Sequence, residues 1–171
     1  YVSSLYGGFW SFDVKDFCYM TNPYFPPEEF IESLGSRLRE LVKSYPSTNW
    51  YLSSLAAEPL GITHEELVIA NGASELISVI TDRFVEHLAV PTPTFDEFVN
   101  RAVTQGKRVS PYQLEGDFEL NVEGFIQHVH DIRANAALLI NPNNPTGTVI
   151  SQESIWHILE SFRHLDLVIF D

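Results

Sequence analysis

The string NPNNPTG, Asn141–Gly147, sets three asparagines, two prolines and a glycine within one short loop. Proline fixes φ and glycine opens tight turns, so the loop is rigid enough to hold a side chain at a set angle to a flat ligand. A second string, NGASE, Asn71–Glu75, follows the apolar run LVIA and opens a helical pattern. The first amides of a helix have no partner within it and lie at its partially positive end. With Gly72 permitting close approach, the N–H groups of Ala73 and Ser74 can hold a phosphate, and the Ser74 hydroxyl can add a bond. A third string, PTPTFDEF, Pro91–Phe98, follows HLAV and presents the ring of Phe95. Asp171 follows LDLVIF at the expected C-terminal tip of a strand, the edge at which open α/β sheets bind ligands.

The elements that would position these strings are legible as periodic patterns. From Glu28 to about Ser44, Phe30, Ile31, Leu34, Leu38, Leu41 and Val42 recur at helical steps. Pro46 stops this helix, because proline disfavours helical backbone in the residue before it. A second helix is predicted from Ser47 or Thr48 to Pro59 and Gly61, after which Thr63 and Glu66 have the spacing of a capping box. Beyond it, apolar runs predict buried strands at Leu67–Ala70, Leu88–Val90, Arg108–Pro111, Ala137–Ile140 and Leu167–Phe170. Helices are expected at Ser74–Glu86, Phe95–Gln105, Val122–Arg133 and Gln152–Arg163, each long enough to cross between parallel strands. This alternation specifies an α/β fold, a three-layer sandwich around a mostly parallel sheet. The stretch up to Pro27 is rich in aromatic, Gly and Pro residues without a sustained period and reads as an irregular N-terminal arm.

Charge narrows the function. With 23 acidic against 10 basic side chains the formal net charge is -13, which repels a phosphate backbone and leaves no basic stripe for nucleic acid. No apolar run approaches the roughly 20 residues of a membrane helix, and YVSSLYGGFW lacks the basic n-region of a signal peptide, so a cytoplasmic location is the default expectation. Cys18 is the single cysteine, which rules out a disulfide within this chain and a Cys-rich zinc site.

Taken together, NPNNPTG, NGASE and PTPTF resemble the signature segments of the class I and II aminotransferases, pyridoxal-phosphate enzymes of fold type I. The resemblance implies that Asn144 hydrogen-bonds the cofactor's phenolic oxygen and borders the substrate, while Gly72, Ala73 and Ser74 hold its phosphate. It implies that Phe95 stacks on the pyridine ring. Asp171, at close to the family's usual interval after Asn144, would pair with the pyridine nitrogen and keep it cationic. Tyr45, in SYPS, matches a tyrosine that reaches the phosphate of the other subunit, which implies a homodimer. The arm segments YGGFWS and DFCYMTNPYFPP resemble stretches of the histidinol-phosphate aminotransferase and threonine-phosphate decarboxylase group, which would set Asn22 near the substrate carboxylate. Tyr6 and Phe25 replace a His and a Gly of that pattern, so substrate identity does not transfer.

The same resemblance implies an arm and first helix of the small-domain and dimer region in residues 1–46. Residues 47–171 would be a partial cofactor-binding large domain. The family's Schiff-base lysine lies beyond Asp171, whereas Lys15, Lys43 and Lys107 all precede it. The chain is thus expected to be an N-terminal fragment, inactive alone, of an aminotransferase acting on small amino and keto acids. Decarboxylation of an amino-acid phosphate is the alternative within the family, and a fused nucleotidyltransferase domain is a further expectation. From other classes, a dinucleotide-binding domain needs GxGxxG, which NGASE does not supply, and a non-catalytic interaction module of the same fold remains open. His128 and His130 are expected on different faces of a helix in solvent, which makes no metal site, and Glu28, Glu29, Glu65 and Glu66 are expected to complement helix starts.

Overall fold

The computed structural model describes Asp13, Lys15 and residues 22–171. The arm residues Tyr6 and Cys18 and the strings around them lie outside the described residues. The chain divides into two compact units, Tyr1–Thr48 and Asn49–Asp171. In the first, α1 spans Glu28–Lys43, with Glu28 and Glu29 in its first turn and Lys43 in its last, each matching the helix dipole. None of its residues is buried, and its apolar stripe of Phe30, Ile31, Leu34, Leu38 and Leu41 is exposed.

In the second unit α2 spans Asn49–Leu60 and carries Pro59 in its last turn. Gly61, at φ 67°, ends it in the left-handed region that glycine enters without strain. A short 3₁₀ turn follows at His64–Glu66, where the Glu66 carboxylate accepts from the Thr63 N–H at 2.9 Å and from its hydroxyl at 2.8 Å. Those two bonds hold the Glu66 carboxyl below the usual carboxylate range.

Four parallel strands form the sheet, in the order β2-β1-β3-β4: β1 His87–Thr92, β2 Arg108–Gln113, β3 Ala136–Leu139 and β4 Leu167–Phe170. The helices between them are α3 Ala73–Phe84, α4 Glu97–Thr104, α5 Val122–Asp131 and α6 Gln152–Ser161. Both sheet faces are covered. On one, Ile77 of α3 and Phe98 and Ala102 of α4 pack on Leu88, Val90, Ala136 and Leu138. On the other, Phe125 and Val129 of α5 and Ile158 of α6 pack on Ala89, Ala137 and Leu139. The alternation of β1 and β3 side chains between the two clusters is the period-2 geometry of a strand buried on both sides. Mutual packing of Phe125 with Phe162 and Tyr112, at ring centroid distances of 5.8 and 5.5 Å, fixes the second face.

Two expectations are corrected here. Leu67–Ala70 is not a strand: none of the described strands runs beside it, and Val68 is exposed. Its apolar run imitates a buried strand, but a strand exists only through a neighbour that takes its backbone bonds. His128 is also not a solvent residue. It is half-buried, its ring 5.4 Å from that of Tyr112, while His130 is exposed on another face of α5.

Candidate active site

The strand order places a switch point between β1 and β3. From β1 the chain crosses to β2 on one side, and it returns to β3 on the other. The loops leaving β1 and β3 therefore diverge to opposite faces, toward α4 and α6, and open a crevice at their C-terminal tips, where sheets of this type bind ligands. PTPTF begins in the last two residues of β1 and runs past its tip, and NPNNPTG follows β3, so both strings lie at this C-terminal edge. Asp171 follows β4 at the same edge. Its backbone N–H donates to the Leu139 carbonyl at 3.0 Å and its carbonyl accepts from the Asn141 N–H at 2.9 Å, which continues the ladder by one step and sets Asp171 beside the start of the NPNNPTG loop.

NGASE opens α3, whose C-terminal end lies by the N-terminal edge of the sheet, where the Asp82 carbonyl accepts from Lys107 Nζ at 2.7 Å just before β2. The helix rises roughly 18 Å from that end over its 12 residues, so its N-terminus is the end away from that edge. Gly72 is its N-cap at φ 77°, ψ 170°, a backbone that residues with a Cβ hardly populate, and no atom lies within 4 Å of where a Cβ would stand. No side chain caps this helix, whereas Asn121 caps α5 by accepting from the Gly124 N–H and Ser151 caps α6 by accepting from the Ser154 N–H. Among the described residues nothing accepts from the N–H groups of Ala73 and Ser74. The Glu75 carboxylate is turned back onto Asn71, accepting from its backbone N–H at 2.7 Å and its side-chain amide at 3.1 Å.

Within the NPNNPTG loop the asparagines divide their work. Asn141 braces the far end, its Oδ1 accepting from the Ile150 N–H at 2.8 Å and its Nδ2 donating to the Ile150 carbonyl at 3.3 Å. Asn143 ties the loop to its neighbours through both ends of its amide. Asn144 is exposed and makes no side-chain hydrogen bond among the described residues, so its amide is available. Phe95 is half-buried against the core on the α3 and α4 face, with part of its ring accessible. Asn22 and Tyr45 belong to the other unit. Asn22 is exposed and its Oδ1 accepts from the Tyr24 N–H at 2.9 Å in a local turn, while Tyr45 is fully exposed after α1. The sequence reading missed Asn141, Asn143 and Thr94. Their only signal was the repetition of Asn within one string and the threonine before Phe95.

The family described as aminotransferase class I and II matches residues 13–171. The chain belongs to that family. Among its curated relatives, a CMP-5'-(3-aminopropyl)phosphonate synthase of Streptomyces rubellomurinus is 38% identical over 146 residues, covering 85% of this chain and 23% of that protein. An L-serine phosphate decarboxylase of Campylobacter jejuni is 32% identical over 166 residues, 91% of this chain and 42% of the relative. Among solved structures, the histidinol-phosphate aminotransferase of Clostridium acetobutylicum superposes with a TM-score of 0.74 at 25% identity, over 88% of this chain and 44% of its own. This chain therefore spans less than half the length of each. Members of the family depend on pyridoxal phosphate. The residues present fit that group: an uncapped helix start opened by Gly72 offers donors to a phosphate, and the same sheet edge holds an uncommitted amide at Asn144 and a carboxylate at Asp171.

Proposed function

We propose that this chain supplies the phosphate, ring-nitrogen and phenolic-oxygen contacts of pyridoxal phosphate in an enzyme that transaminates a small amino acid or amino-acid phosphate. What supports this reading is a switch-point edge that holds a free asparagine amide and a strand-tip aspartate, together with the uncapped N-terminus of the helix that precedes β1. The N–H groups of Ala73 and Ser74, with the Ser74 hydroxyl, hold the phosphate as donors at the positive end of α3. Asn144 donates to the phenolic oxygen and favours its anionic form. Asp171 keeps a proton on the pyridine nitrogen by offering it a negative partner, and Phe95 orients the ring by stacking. Pyridoxal phosphate, when bound, provides the sink for electrons left at the substrate Cα.

Lys107 is on the wrong side for a covalent anchor: its Nζ donates to the Asp82 carbonyl at 2.7 Å, at the C-terminal end of α3 and thus by the N-terminal edge of the sheet. We therefore take the chain alone to bind the cofactor without a covalent bond and to be inactive. Asn22 near the substrate carboxylate, Tyr45 reaching a second subunit's phosphate in a homodimer, the division at residue 46 and a cytoplasmic setting belong to the same proposal. A fused nucleotidyltransferase domain is supported by the 38% identical relative, which is named for a CMP compound and of whose length this chain covers only 23%.

The second reading, decarboxylation of an amino-acid phosphate, is favoured by the 32% identity to the serine phosphate decarboxylase. A polypeptide that contains this chain and the remaining length of the family fold, loaded with pyridoxal phosphate, separates the two. Keto product that appears only with an amino acceptor supports transamination. Carbon dioxide released without an acceptor supports decarboxylation, and neither product from a cofactor-loaded protein across a panel of amino-acid phosphates refutes both.

A further inference from the structure

The loop that carries Asn144 is poorly supported from behind. A cavity of about 330 Å³ opens on the α5 and α6 side of the strand tips, lined among others by Pro91, Leu139, Ile140 and Ile150, with Thr94, Asn143 and Thr148 on its wall. On that side the loop borders an open pocket rather than packed side chains, so hydrogen bonds carry more of its position. Besides the Asn141 bonds to Ile150 and the loop's own backbone bonds, those that tie it to the tip of β1 form one string. The Thr94 hydroxyl donates to Asn143 Oδ1, and Asn143 Nδ2 donates to the Pro93 carbonyl at 2.9 Å and to Thr146 Oγ1 at 2.8 Å. Thr146 Oγ1 lies 2.8 Å from Thr148 Oγ1, whose hydroxyl donates to the Phe118 carbonyl at 3.3 Å. The string crosses from the tip of β1 to the loop after β3 and on to the loop after β2.

Its centre is Asn143, the residue before Asn144, and its β1 end is Thr94, the residue before Phe95. We infer that Asn143 is a positioning residue: by fastening Thr94 and Pro93 to the NPNNPTG loop it sets the distance between the ring face of Phe95 and the amide of Asn144. Asn143 is half-buried and its amide is fully committed, so it acts on a bound ring only through its neighbours. The planar amide is suited to this, because it accepts from one partner and donates to two others in a single fixed plane. An aspartate keeps the acceptor and loses both donors, and an alanine loses everything.

The inference rests on the cofactor reading above, and its test separates the two. In the 171-residue chain with no ligand present, Asn143→Ala is expected to move the backbone amide resonance of Phe95 and Thr94→Val that of Asn144, each across the gap between the two loops, and the double variant to add little to either. Pyridoxal phosphate titrated into Asn143→Ala should bind about 10-fold more weakly than to the parent, the loss typical of removing an outer support of a bound group. Inorganic phosphate, which reports the start of α3 alone, should keep its affinity, and Asn143→Asp should fall between parent and alanine. Unchanged resonances of Phe95 and Asn144 overturn the clamp whatever the cofactor does. An equal loss of affinity for both probes also overturns it, because that pattern marks general loosening of the fold. Shifted resonances in a parent chain that binds no pyridoxal phosphate leave the clamp standing and sink the cofactor reading instead.

Discussion

Substituting Gly72 with alanine tests the phosphate cradle through the backbone alone. At φ 77°, ψ 170° the residue sits in a region nearly closed to side chains, and holding alanine there costs about 1–3 kcal/mol. The new Cβ meets no atom within 4 Å, so no steric clash adds to that figure. Alanine also restricts the unfolded chain, which returns about 0.4–1 kcal/mol. At mid-range the net loss is roughly 1.3 kcal/mol, and Ile77 and Thr81, buried one and two turns on, prevent α3 as a whole from shifting to relieve the strain. With a urea m-value of about 2 kcal/mol/M, the unfolding midpoint followed by circular dichroism should fall by roughly 0.65 M. Affinity for inorganic phosphate should fall in the same variant, since relief of strain at residue 72 moves the adjoining Ala73 and Ser74 amides. Ala73→Gly is the control and should retain phosphate binding. A Gly72→Ala chain with the parent's urea midpoint and the parent's phosphate affinity would refute the reasoning.

Other substitutions probe the scaffold and its charge. A Cβ at Gly124 would overlap the Tyr112 hydroxyl, so Gly124→Ala should destabilise by about 1–3 kcal/mol although alanine is the better helix former, and Tyr112→Phe should restore much of the loss in urea titrations. Phe125→Ala, which empties the centre of the second core cluster, should cost about 3–5 kcal/mol by the same measurement. His87 is buried, its Nε2 is 2.9 Å from Ser110 Oγ and its Nδ1 has no partner, and burial, with Arg108 and His128 nearby, lowers its pKa from 6.5. The folded chain therefore resists a proton that the unfolded chain accepts. This contribution to stability is complete above pH 6.5 and is lost as pH falls through the lowered folded value, so the parent's urea midpoint should drop on acidification more steeply than that of His87→Gln. Equal slopes would contradict that assignment.

The fold was legible because its two central strands, β1 and β3, are buried on both sides and alternate with helical patterns. Leu167–Phe170 was predicted at its observed bounds, and helix α5 was predicted from Val122, its observed start. Leu67–Ala70 misled because an apolar run between turns looks the same whether or not a neighbouring strand takes its backbone bonds. His128 misled because helical spacing separates faces but does not tell which one a tyrosine from β2 will cover. At the candidate site, the strings themselves identified the loops and the uncapped start of α3. The resemblance singled out Asn144 but gave Asn143 no task, since the bonds of Asn143 arise only when the tip of β1 comes within hydrogen-bonding reach, 50 residues away in sequence.

The most direct test of the account is amide-resolved NMR of the 171-residue chain during titration with pyridoxal 5'-phosphate. Resonances of Gly72, Ala73, Ser74, Phe95, Asn144 and Asp171 should shift together with a single affinity, while those around Lys107 at the opposite sheet edge stay in place. Shifts clustered at Lys107, or scattered without a common affinity, would contradict the claim that this edge forms the cofactor site.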